Sequence, residues 1–176
     1  MIPLKNYQFH TTLFGELDVP VDKGLFEDFT ITLAGKEIET SLDIFEGFLN
    51  GDNQAIVQKF LEHIPEMYQK AKSTLLANCH NDTVITYFIQ YVTEVIDEDE
   101  EYEKYLLETL SMVTVEEITN EALIDVLQPR CIRISANQQH HLDCVFDFSL
   151  DVNYSDQLLV VYFDENFEVY NISHES

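Results

Sequence analysis

The chain has 176 residues, 45% of them hydrophobic, and carries 33 acidic residues against 9 basic ones, a formal net charge of −24. Length and apolar content fit one globular domain, residues 1–176, with twelve Phe and nine Tyr to fill its core. Nucleic acids and anionic membrane surfaces are both bound through Lys and Arg, so the charge argues against either as a partner. A basic protein, a cation or a neutral ligand stays open, and the same charge also serves as a solubilising coat.

Cys79, Cys131 and Cys144 are odd in number and widely spaced, which does not make a disulfide framework. Free thiols fit a reducing compartment. The start, Met1-Ile2-Pro3-Leu4-Lys5, lacks the apolar run of a signal peptide. No apolar run reaches the ~18 residues of a membrane span. A cytoplasmic location is the expectation.

Residues 1–50 read as strands. A first strand runs through Tyr7 to Phe14. Phe29, Ile31 and Leu33 then alternate with Thr30 and Thr32; Ile38, Leu42 and Ile44 alternate with Glu37, Glu39, Ser41 and Asp43. Period-two patterning on both sides of a Gly35-Lys36 link predicts a hairpin with one apolar and one acidic face. Residues 52–127 read as about four helices. Asp52 or Asn53 caps the first, whose apolar positions include Ile56, Phe60, Ile64, Met67 and Ala71, and Pro65 should kink or break it. Asp82 caps a second, with Ile85, Phe88, Ile89, Val92 and Ile96 as its stripe. A third runs from about Asp99 to Leu110. Thr114-Val115-Glu116-Glu117 fits a capping box for a fourth, which Gln128-Pro129 ends.

Residues 130–173 return to strands. Ile132 and Ile134 alternate with Arg133 and Ser135; Leu142, Cys144, Phe146 and Phe148 alternate with His141, Asp143 and Asp147. Leu158 to Phe163 is continuously apolar, which predicts a central strand covered on both faces. Phe167 to Ile172 closes the sheet after the Asp164-Glu165-Asn166 turn. Strands segregated from helices predict an α+β fold, with an antiparallel sheet of about six strands and four helices packed on it.

His140, His141, Asp143 and Cys144 form the densest set of potential zinc donors. Strand alternation puts His141 and Asp143 on one face and His140 and Cys144 on the other, so either pair needs donors from elsewhere, such as Cys79-His80. Cys79, beside His80 and before a helix start, is also the better placed of the candidate thiol nucleophiles; Cys144 falls on an apolar face. No phosphate-binding or nucleophile-elbow motif occurs, and no cofactor is expected. Asp97-Glu98-Asp99-Glu100-Glu101 lacks the ligand pattern of a calcium loop and suits an acidic helix N-terminus. Asp151, Asp156, Asp164 and Glu165 read as acids flanking strands.

Two acidic groups remain as candidate docking surface: Glu37, Glu39 and Asp43 on the hairpin, and Asp97, Glu98, Asp99, Glu100 and Glu101 on the helix. Such a surface suits a protein that blocks a basic partner.

The stretches Val145-Phe146-Asp147-Phe148-Ser149-Leu150 and Ser155-Asp156-Gln157-Leu158-Leu159-Val160-Val161-Tyr162-Phe163-Asp164, the terminal Glu175-Ser176, and Phe14-Gly15-Glu16-Leu17 resemble an uncharacterised bacterial family, the Domain of Unknown Function numbered two thousand and four. The resemblance implies a small bacterial cytoplasmic protein and brings no activity or catalytic residues. By analogy with acidic bacterial immunity proteins, the leading expectation is a non-catalytic protein-binding domain that inhibits a basic toxin. The alternatives are a metal-binding protein or hydrolase built on His140, His141 and Cys144, and a homo-oligomer joined through a sheet edge.

Overall fold

A computed structural model describes residues 5–21, 24–45, 51–96, 99–136, 141–151 and 155–176. The chain opens with a two-stranded antiparallel hairpin, β1 (Lys5–Thr11) and β2 (Gly15–Val21). The second of these strands went unread in the sequence, although Leu17 and Val19 alternate with Glu16 and Asp18. The long hairpin follows, β3 (Gly24–Leu33) and β4 (Lys36–Phe45), paired over its whole length. Its link is Ala34-Gly35, one residue earlier than expected. Both link residues have positive φ (52° and 78°), as a two-residue hairpin turn requires, and Lys36 already pairs with Leu33.

The four helices are α1 (Gly51–Asn78), α2 (Thr83–Ile96), α3 (Glu100–Leu110) and α4 (Asn120–Val126). Helix α1 is continuous through Pro65, so the expected break is absent, and Asp52 and Asn53 lie inside its first turn. Tertiary burial overrides the local penalty: Leu61, Ile64, Met67 and Tyr68 around Pro65 are all buried. Asp82 caps α2 as expected, its Oδ1 accepting from the Val84 and Ile85 N–H groups at 2.8 and 3.1 Å. The buried stripe of α2 is the one read from periodicity. The Thr114–Glu117 box closes only a single 3₁₀ turn, Val115–Glu117; α4 starts later, where the Thr119 hydroxyl accepts from Ala122 N–H. Helix α4 ends under Lys72 of α1, whose ammonium donates to the carbonyls of Ile124, Asp125 and Leu127. A cation there satisfies the helix's last acceptors. Among the described residues, no helix is long and apolar enough to cross a membrane.

After the helices come β5 (Gln128–Ala136), β6 (Leu142–Ser149), β7 (Leu158–Phe163) and β8 (Val169–Glu175). The six long strands form one sheet in the order β3-β4-β5-β6-β7-β8. The fold is α+β and mostly antiparallel, with one parallel pair, β4–β5. The whole helical block is the crossover that this parallel pairing needs. Strand β7 is penultimate, not central as expected. The strand buried along its whole length is β6, whose acids Asp143 and Asp147 are only 5% and 9% exposed.

The helices cover one face of the sheet. Tyr68 of α1 stacks on Phe148, and Phe88 of α2 meets His174 edge-on. A single hydrophobic cluster joins this inner face, the inward sides of α1–α4, and Phe9 and Val19 of the first hairpin. Burying such side chains is worth ~1.5–3 kcal/mol each.

Candidate docking face on the open side of the sheet

The opposite, outer face is set by the pleat. Leu25, Ile31 and Leu33 of β3 and Ile38, Leu42 and Ile44 of β4 point inward and are buried. The intervening residues therefore point out. The register lines them up in cross-strand rows: Phe26 opposite Asp43, Asp28 opposite Ser41, Thr30 opposite Glu39, and Thr32 opposite Glu37. The parallel pairing extends three of these rows, to Cys131 beside Glu39, Arg133 beside Ser41 and Ser135 beside Asp43.

Glu37, Glu39 and Asp43 lie where the alternation predicts, exposed on one face, and Asp28 joins them from the neighbouring strand. None of these four carboxylates has an ion pair or side-chain hydrogen bond among the described residues. A shallow groove of ≈ 360 Å³ runs between Asp28, Thr30, Glu39, Ser41 and Cys131.

Beside the acids stand two aromatic rings that the sequence reading missed. Phe26 is 47% and Phe45 60% exposed, and their rings meet edge-to-face with centroids 5.5 Å apart. They close the row of Gly24, which pairs with Phe45. A methyl group at Gly24 would overlap the Phe26 ring and the Ile44 carbonyl oxygen, so only glycine allows this ring placement. The signal was present in the phase: Phe26 and Phe45 occupy the polar positions of otherwise amphipathic strands.

The β5–β8 part of the outer face is different. Asp147 is mostly buried and lies 3.7 Å from Arg133, with Oδ1 lacking any hydrogen-bond partner. Burial pushes its pKa up, opposed by Arg133. Tyr170 donates its hydroxyl to Asp143 at 2.7 Å, and Tyr162 donates to Glu175 at 2.9 Å.

The helical acidic group does not extend this surface. Asp99 is the N-cap of α3, its Oδ1 accepting from the Glu101 and Tyr102 N–H groups at 2.9 and 3.1 Å. Glu100 and Glu101 are exposed in the first turn, as an acidic N-terminus should be. Helix α3 packs on α2 and α4, in the layer behind the sheet. Asp97 and Glu98 lie outside the described residues.

The His/Cys cluster does not assemble. His141 is exposed and precedes β6, with Nδ1 3.9 Å from the Glu165 carboxylate. Cys144 points inward and is fully buried, where burial and then the charge of Asp143 push its thiol well above the ordinary range. The pleat keeps the two on opposite faces. His140 lies outside the described residues. Around His141, Asp164 is occupied by its own turn. Burial raises its pKa, but the Glu168 and Asn166 N–H groups outweigh that and hold the carboxyl below its usual range.

No family model, no curated protein and no solved structure matches this chain.

Proposed function

We propose that the chain is a non-catalytic protein-binding domain, an immunity-like inhibitor, that docks a basic protein on the β3–β4 end of its outer sheet face. The observation that carries this reading is the coincidence of unpartnered carboxylates (Asp28, Glu37, Glu39, Asp43) with the exposed aromatic pair Phe26–Phe45 on one side of two strands. A solubilising coat needs the acids and has no use for the rings. A docking surface uses both: charge steers the approach of a basic partner, and exposed aromatics supply anchors that lose water on contact.

The test compares immobilised wild-type chain with two variants, Phe26→Ala/Phe45→Ala and Glu37→Gln/Glu39→Gln/Asp43→Asn, against an extract of the source cells. A basic protein retained by the wild type, lost by the aromatic variant and weakened by rising salt fits the proposal. Identical retention by all three chains would refute it.

A further inference from the structure

We propose that Cys79, His80 and Glu121 form a binding site for one divalent transition metal, zinc foremost. Cys79 and His80 sit in the turn between α1 and α2, and Glu121 in the first turn of α4. One donor atom from each of the three lies within 4.8 Å of the others. A tetrahedral zinc site, with bonds of about 2.0–2.3 Å, places its donors roughly 3.3–3.8 Å apart. The three donors therefore lie close to the spacing such a site needs.

The donors are arranged as a wall and a rim. Cys79 is buried; His80 and Glu121 are exposed, and their Nε2 and Oε1 atoms are 2.6 Å apart. A metal would take the place of the proton between those two atoms, with the thiolate beneath. The support is already in place. Lys72 holds the far end of α4. The Asn120 amide donates to the Cys79 carbonyl at 2.9 Å and lies 3.3 Å from His80 Nδ1.

The donor chemistry selects the ion. A thiolate, an imidazole and one carboxylate favour zinc and cobalt over magnesium or calcium, which take oxygen donors. The carboxylates crowding the rest of the chain attract cations without supplying sulfur. Binding expels the thiol proton to solvent. Ligation through Nε2 takes the His80 tautomer that carries its proton on Nδ1. The hydrogen bond from His80 holds the Glu121 carboxyl below its usual range, and burial, with the charge of Glu121 added, raises the Cys79 thiol. Three protein donors leave the fourth position to water.

Cobalt(II) titrated into chelator-treated protein tests the site. The expected result is one cobalt per chain, a near-ultraviolet thiolate-to-cobalt absorption band, and displacement by zinc but not by calcium. Cys79→Ser should abolish the band. His80→Ala and Glu121→Gln, at exposed positions that leave the fold intact by circular dichroism, should weaken binding about tenfold or more. Wild-type protein without a thiolate band, or a band that persists in Cys79→Ser, or unchanged affinity in both exposed variants, would overturn the proposal.

Discussion

The two ends of the outer sheet face are built from the same alternating strands and treat their acids in opposite ways. On β5–β8 the carboxylates are turned on the protein itself: Asp143 accepts from Tyr170, Asp147 faces Arg133, and Glu175 accepts from Tyr162. On β3–β4, Asp28, Glu37, Glu39 and Asp43 have no such partner among the described residues, and Phe26 and Phe45 stand exposed next to them. Burial explains the partner of Asp143, because a polar group removed from water must be satisfied inside, whereas Asp147 keeps one orphaned oxygen. The second arrangement leaves its carboxylates exposed to water, which a partner can displace. The bonded Asp143 holds the fold together, while the acids beside Phe26 and Phe45 are left to solvent, as the proposed docking requires.

Substitutions that separate stability from binding put this contrast at risk. The largest expected effect is on affinity: Phe26→Ala and Phe45→Ala should each weaken partner binding by about 2 kcal/mol or more, as anchor residues do. The melting temperature should move little, since about half of each ring or more is exposed; a large drop in it would reassign them to the fold. Next comes Tyr170→Phe, which strips a hydrogen bond from the buried Asp143. Urea unfolding should show a loss of about 1–3 kcal/mol with binding unaltered. Third, Glu37→Gln/Glu39→Gln/Asp43→Asn should slow association about tenfold at low salt and flatten its salt dependence, with little change in unfolding. Stopped-flow kinetics at two ionic strengths read this directly.

The smallest effect carries the most information about sign. Asp147 has a folded-state pKa above its unfolded value, because burial outweighs Arg133. Its contribution to stability is thus complete below the unfolded pKa and is lost as pH rises through the folded one. Asp147→Asn removes that loss. It should unfold at a higher urea concentration than wild type at pH 7 and at the same concentration in acid. A variant less stable at pH 7 would mean that the pairing with Arg133 outweighs desolvation.

Much of the architecture was legible because local and global signals agree. The α2 stripe, the Asp82 cap, the acidic start of α3 and the amphipathic β3–β4 alternation all follow from residues a few positions apart. What was illegible depends on distant neighbours. Nothing near Leu142–Ser149 says that Asp143 and Asp147 will be covered, since their cover is Tyr170 and Arg133 on other strands. Nothing near Lys36–Phe45 says that its second neighbour will be parallel. The capping box at Thr114 was a correct local signal, but the chain continued into only one 3₁₀ turn. Of the candidate site, the acids were readable and the aromatic pair was overlooked, because sequence reading rewards apolar residues in phase with the core and passes over those out of phase. Cys79 and His80 were visible as neighbours; Glu121 was not, because it reaches them only through the packing of α4 against α1.

The parallel β4–β5 pair has a kinetic consequence. The β3–β4 ladder closes over a two-residue link and can zip early, as local hairpins do. Its attachment to the rest of the sheet joins Glu39–Asp43 to Cys131–Ser135, across the entire helical excursion. Closure over so long an interval is entropically costly and slow. The β3–β4 end of the sheet should therefore be the last part to attach and the first to come loose. Its amide protons should exchange through partial openings that leave β6 and β7 protected.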